Sequence, residues 1–422
     1  SKMSKKLKKF NIKGLSPISI KIMGEIQNLK SKHNEPNISV LHPYLEKFQR
    51  KYRELDIQKM NFQINKTFIE TRSENLPCLT RNILDYLNKN REVLDEIFEE
   101  FEFSKDQQES TIDFLNKVNY NNDDFCNSWI NQHGKLLSQG IYNLLRMSKI
   151  PSYFLGRMEI PSLSVYGHFA SGDIRNYVER FIDQNINVKV EFNGIDLNFS
   201  FKTDKDIGEK ELHKKIKRCL ILAHYHDIKE NIKIEFLDTK NKKVLPKKYK
   251  LLGPKEINSG STSFGSSKEV SIWRGEESDK VTLHELIHYH NLDFHHRSNN
   301  EPINILISQH FNIDPNIDKL VNEAYTEIWG NLFNLMMVAC EIKDFNPHLA
   351  FNELFSRLYK LELYYSLFQV SKILDFFGFK DIHDFVKPYS KNPKMEFKQS
   401  TSVFSYFFIK TALLFNLETF IQ

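Results

Sequence analysis

Apolar residues recur at three- and four-residue spacing through Ile18–Lys30, Tyr44–Leu55, Leu79–Glu100 and Ser128–Met147, a pattern that predicts amphipathic helices. Pro36, Pro77 and Pro151 fall between these runs as breakers. Asp106–Asn119 and Asp173–Gln184 read as two further helices. Near Asn185 the period changes. Asn187–Phe192 and Asp196–Phe201 alternate apolar and polar residues, and Asn193-Gly194 joins them, which predicts a β-hairpin. A helix over Lys210–His226 and a third strand over Asn231–Phe236 follow, with Ser261–Phe264 and Glu269–Trp273 as short candidate strands. From Asp279 the chain reads as helical almost to its end, interrupted near Pro302, Pro315, Pro347, Pro388 and Pro393.

This change of period predicts a helical N-terminal domain over 1–184 and a second domain over 185–422. In the second, strands come first and helices after, an α+β arrangement with a small mixed sheet and a helical C-terminal half. A length of 422 residues is more than one ordinary core organises, which agrees with two domains. Hydrophobic residues at 40% and charged residues at 27% make a globular chain rather than a disordered one.

Charge narrows the choice of partner. The formal net charge is +5, from 59 basic and 54 acidic side chains, a surplus too small on this length to call for a nucleic-acid partner. The runs Lys5–Lys9 and Lys242–Lys250 are most simply solvated. Cys78, Cys126, Cys219 and Cys340 form no CxxC pair, so the expectation is reduced structural thiols in a cytoplasmic-type compartment. No apolar region follows the cationic start, and no stretch approaches the roughly 18 apolar residues needed to span a bilayer, so neither a secretory signal nor a membrane partner is expected. The most apolar segments, Leu332–Cys340 and Val403–Leu414, read as buried helix.

The chemistry concentrates in Val281-Thr282-Leu283-His284-Glu285-Leu286-Ile287-His288, an HExxH segment. On a helix, positions i and i+4 share a face, so His284 and His288 can present two imidazole nitrogens to one ion. Zinc suits two imidazoles and a carboxylate, with one position left for water. Glu285 then stands where it can take a proton from an attacking water and pass it to a leaving amine. Leu283, Leu286 and Ile287 would pack the helix into a core, and Asp279 lies in its first turn, where a carboxylate favours the dipole. The bland alternative is an amphipathic helix with two surface histidines.

A third ligand is needed. The HExxHxxGxxH pattern fails, because Asn291 and Phe294 stand where its glycine and third histidine belong; His295 and His296 are out of phase. Asn322-Glu323-Ala324-Tyr325-Thr326-Glu327-Ile328-Trp329-Gly330 offers two carboxylates one turn apart on an otherwise apolar helix. Glu323 can ligate the ion, and Glu327 can accept the outer N–H of a ligand imidazole. A solvated Glu/Glu face is the alternative, but the apolar neighbours leave little wet surface.

The motif pair, HELIH followed by NEAYTEIWG, resembles the gluzincin class of zinc peptidases, of which thermolysin is the familiar member. That resemblance covers two short motifs. It implies a zincin-like domain, one zinc ion per chain on His284, His288 and Glu323, catalysis by Glu285, an outer contact from Glu327, and a peptide or protein substrate. Glu327 stands where the class carries aspartate, and the gap between the motifs is longer than in thermolysin. The longer stretch from Ile257–Phe264 through Lys268–His288 and the Glu323 motif to Val403–Lys410 is also similar to uncharacterised predicted metallopeptidases of large double-stranded DNA viruses. A viral origin would place the protein in the host cytoplasm or the virion.

The rest of the site is less determined by sequence. Ser261–Phe264 or Glu269–Trp273 could be the strand edge on which a substrate backbone lies, with Gly260 and Gly265 permitting close approach. A donor for the tetrahedral oxyanion could come from Tyr325, Tyr365, Tyr389, Tyr406 or His290. Tyr406 is preferred, because Ser405-Tyr406 interrupts an apolar helix. Arg274 could pair a substrate carboxylate or form a surface salt bridge. Set against the peptidase is a catalytically inactive zincin-fold protein that acts as a structural or partner-binding module.

Overall fold

A computed structural model describes residues 36–68, most of 89–113, 172–182, 184–247, 251–265, 268–293, 301–315, 319–379, 382–387 and 396–422. The helices expected at Ile18–Lys30 and Ser128–Met147 lie outside these residues. The described residues up to Thr67 and from Gly172 onward fall in one compact unit. Residues 68–166 make a second, in which helix α2 (Arg91–Glu100) is described.

Among the described residues the first unit contains one open, mixed sheet of strands β1 (Asn61–Phe68), β2 (Gln184–Phe192), β3 (Ile195–Thr203), β4 (Asn231–Leu237), β5 (Gly260–Ser263) and β6 (Glu269–Ile272), in the order β1-β2-β3-β4-β6-β5. Helix α1 (His42–Glu54) and strand β1 (Asn61–Phe68) open it, so part of the segment grouped by sequence with the N-terminal helices contributes an edge strand here. Helix α3 (Gly172–Phe181) precedes the predicted hairpin, which forms as β2 (Gln184–Phe192) and β3 (Ile195–Thr203), paired antiparallel from Gln184–Thr203 to Phe192–Ile195. Asn193 and Gly194 both take positive φ, 50° and 79°, as a type I′ turn requires. Helix α4 (Glu209–Tyr225) then carries the chain to β4 (Asn231–Leu237), which lies parallel to β3.

Alternation decides which face is covered. Ile186, Val188 and Val190 of β2, Leu197, Phe199 and Phe201 of β3, and Ile232, Ile234 and Phe236 of β4 are buried with Ile216 and Leu220 of α4 in one core. A short helix α5 (Pro254–Ile257) leads into β5 (Gly260–Ser263) and β6 (Glu269–Ile272); β6 runs parallel to β4, and β5 pairs antiparallel at the sheet's end.

Helix α6 (Ser278–Tyr289) enters this core, and nearly all of it is buried. Helices α7 (Glu301–His310), α8 (Asn322–Phe345) and α9 (Phe351–Phe377) follow, then short α10 (Ile382–Phe385), a π-helical turn over Phe404–Ile409, α11 (Lys410–Phe415) and α12 (Leu417–Ile421). Both apolar segments read as buried helix, Leu332–Cys340 and Val403–Leu414, are helical along most of their length. A second core of Phe377, Phe379, Phe385, Phe397, Phe404 and Phe408 backs the π-helical turn. Among the described residues no helix is long and apolar enough to cross a membrane, and Cys219 and Cys340 are free and buried.

Candidate metal centre

Helices α6 and α8 carry the site, and their contacts show them running antiparallel. Lys280 meets Glu327, His284 lies between Glu327 and Glu323, and His288 meets Glu323. The close approach depends on Gly330. A Cβ there would stand 3.3 Å from the His284 Cα, so any side chain would push the two backbones apart.

The result is one buried cluster of His284, His288 and Glu323, each offering a ligand atom within 4.8 Å of the others. Nε2 of His284 lies 3.5 Å from Oε2 of Glu323, and Nε2 of His288 lies 3.4 Å from the same oxygen. That oxygen is buried and has no hydrogen-bond partner among the described residues. Buried carboxylate oxygens are nearly always satisfied, so an orphan facing two imidazole nitrogens is a place that could hold a cation.

The outer ring nitrogens are engaged. Nδ1 of His284 lies 2.8 Å from Oε2 of Glu327, as the sequence predicted. Nδ1 of His288 lies 2.5 Å from Oδ2 of Asp293, a contact the sequence reading missed. A carboxylate at Nδ1 keeps the proton there and leaves the Nε2 lone pair for an ion. Asp293 reaches back because Asn291 takes φ 53° and closes α6 with a Schellman motif, in which Leu292 N–H bonds to the Ile287 carbonyl and Asn291 N–H to that of His288. The Thr326 hydroxyl also donates to Asp293. The signal was present in Asn291, an αL former at the helix end with an aspartate two residues on.

The electrostatics fit a cation site. Burial alone would lower the pKa of His284, but the carboxylates of Glu323 and Glu327 outweigh it and push it up to about 9. His288 is raised well above the usual range against the same burial cost, by Asp293 and Glu323. Burial raises Glu323, and the two imidazoles more than reverse this, holding it well below the carboxylate range. Glu327 is likewise held low against burial, first by the Lys280 charge and then by His284. Lys280 binds the second oxygen of Glu327 and was not singled out from the sequence.

Glu285 lies under strand β5. The Thr262 hydroxyl stands 2.7 Å from Oε2 of Glu285 and 3.0 Å from its carbonyl oxygen. A Cβ on Gly260 would fall 2.7 Å from Cγ1 of Val281 and 3.0 Å from Cγ of Glu285, so the close approach that Gly260 permits here is of β5 to α6. Gly265 has φ 114° and open space around it.

Of the candidate donors, the structure brings Tyr406 to the site. Its ring stands edge-on to His284, with centroids 5.7 Å apart. Burial first, then the charges of Glu323, Glu285 and Glu327, raise the Tyr406 hydroxyl well above its ordinary pKa, so it remains a donor. Tyr325 packs on Trp329 and Phe420, Tyr365 is exposed beside Phe368, and the buried His290 bonds to Glu230. Tyr389, His295 and His296 lie outside the described residues. Among the described residues Arg274 makes no surface salt bridge. It is buried, and its guanidinium donates to the carbonyls of Asn258, Asn241 and Lys255, which ties α5 and its flanking loop to the strand end.

No protein-family model matches the chain, and no solved structure matches it. Over 158 residues the chain is 32% identical to an uncharacterised protein of Acanthamoeba polyphaga mimivirus. The match covers 36% of this chain and 37% of that relative, so the chain spans little more than a third of the relative's length.

Proposed function

From this site we infer that the chain is a zinc-dependent peptidase, with His284, His288 and Glu323 as the metal ligands and Glu285 as the general base. The observation that carries the reading is the orphaned Oε2 of Glu323, set 3.4 and 3.5 Å from two Nε2 atoms whose rings are each anchored at Nδ1 by a carboxylate. Ligand atoms about 2.0–2.1 Å from a tetrahedral ion stand about 3.3–3.5 Å apart, and the two imidazole–carboxylate spacings, 3.5 and 3.4 Å, match this. Two imidazoles and one carboxylate are also the donor set of hydrolytic zinc sites, which keep a fourth position open.

Zinc held by His284, His288 and Glu323 would supply a Lewis acid able to polarise a carbonyl and lower the pKa of water. The protein's own groups do the rest. Glu285, beside His284 on α6, receives the proton of the attacking water and delivers it to the leaving amine. Tyr406, protonated and directed at the cluster, donates to the oxyanion. Strand β5 is last in the strand order, so an extended peptide can add along its outer edge, above Glu285. The orders of effect are familiar: a positioned acid–base group contributes roughly 10²–10⁴-fold, and one oxyanion donor about 10²–10³-fold.

The test is metal analysis of the purified chain together with a peptide-library digest. About one zinc per chain is expected, and Glu285→Gln should retain the zinc while losing hydrolysis. Undiminished cleavage by Glu285→Gln refutes the role given to Glu285. Zinc retained by a wild-type chain that cleaves nothing favours the inactive, partner-binding alternative.

A further inference from the structure

We propose that Thr262 is a positioning residue for the general base, and that it decides which carboxylate oxygen of Glu285 does the work; this rests on the peptidase reading above. Within β5, Gly260 and Thr262 lie two residues apart and so face the same side of the sheet, toward α6. Gly260 provides the space, and Thr262 supplies the contact. Its hydroxyl lies 2.7 Å from Oε2 of Glu285 and 3.0 Å from the Glu285 carbonyl oxygen, and its single proton favours the nearer, charged acceptor. Oε1 has no hydrogen-bond partner among the described residues. A base hydrogen-bonded at both oxygens would be a weaker proton acceptor at each, and one bonded at neither would sample several rotamers. One anchored and one free oxygen gives a fixed side chain with an available lone pair.

The anchor is also part of the sheet. Thr262 pairs with Val270 of β6, so the strand proposed to receive the substrate backbone and the group that fixes Glu285 are one element. Displacing β5 therefore displaces the base.

The experiment compares Thr262→Val, Thr262→Ser and wild type in steady-state peptide hydrolysis, alongside zinc content and a thermal-unfolding cycle of Thr262→Val with Glu285→Gln. Valine keeps the branched shape and removes the hydroxyl; serine restores it. The expected result is a loss in kcat of about tenfold or more for Thr262→Val, with KM and zinc content unchanged, and recovery of most of the rate in Thr262→Ser. In the unfolding cycle, the Tm loss caused by Thr262→Val should shrink in the Glu285→Gln background, because the charge it serves is gone. A Thr262→Val enzyme with wild-type kcat overturns this proposal and leaves the peptidase reading standing. So does a loss that Thr262→Ser does not restore. A wild-type chain that cleaves no peptide overturns both, even if the unfolding cycle shows coupling.

Discussion

Replacing Gly260 by alanine tests how strand β5 is seated on the metal helix. The added Cβ would lie 2.7 Å from Cγ1 of Val281, 3.0 Å from Cγ of Glu285 and 3.2 Å from its Oε1. Carbon atoms in contact prefer about 3.5–4.0 Å, so β5 must lift by about 1 Å or Glu285 and Val281 must move aside. Overpacking of this kind costs about 1–3 kcal/mol. Alanine recovers about 0.4–1 kcal/mol by narrowing the unfolded ensemble. Net destabilisation is therefore up to about 2.6 kcal/mol, centred on about 1 kcal/mol, read as a lower urea midpoint at unchanged m-value. The effect on catalysis is larger, since a displacement of about 1 Å at a catalytic group can cost about 10²-fold in rate. Val281→Ala added to Gly260→Ala removes the shortest contact and should recover stability, while the contact at Glu285 remains and the rate stays low. Wild-type stability and wild-type rate in Gly260→Ala would show that β5 does not lie against α6 as described.

Three further outcomes are expected. Asp293→Asn should weaken zinc binding about 10–100-fold in chelator competition, as removal of a carboxylate behind a ligand imidazole does; unchanged affinity would contradict the His288–Asp293 contact. Lys280→Met should destabilise the metal-free protein by about 1–3 kcal/mol in urea unfolding. Removing one partner of a buried pair costs about 3–5 kcal/mol, and Lys280 keeps 32% of its side chain exposed, which reduces it; a neutral result would mean that Glu327 does not need this cation. The metal-free protein should also lose stability with rising pH. His284 titrates near 9 when folded against an ordinary 6.5, so its contribution is complete below about pH 6.5 and is lost as pH rises through about 9, by about 3 kcal/mol. Unfolding in chelator at the two pH values measures this, and a flat profile would refute it; saturating zinc, which requires the unprotonated imidazole, should abolish the slope.

The sequence alone determined the parts of this protein that local periodicity encodes. Alternation around Asn193-Gly194 specified the hairpin, because a period of two and a turn demanding positive φ leave one simple solution. The four-residue spacings of His284 with His288 and of Glu323 with Glu327 put each pair on one helical face, and carboxylates on a helix of Leu, Ile, Trp and Phe had to meet something positive. Tertiary structure decided the rest. Strand β1 alternates at Phe62 and Ile64, but none of residues 61–67 is buried, so the pattern points at no core and only its place beside β2 makes it a strand. Asp293, Lys280 and Thr262 are ordinary polar residues in sequence. They acquire roles when a helix cap reverses the chain, when Gly330 lets two helices nearly touch, and when Gly260 lets a strand settle onto Glu285. Tyr406 became distinct from the other tyrosines in the same way, when a π-helical turn braced by phenylalanines set it against His284. Which side chains share a face follows from the chain's own repeat. Which faces come together depends on close packing between elements distant in sequence, and that information exists only once the core has formed.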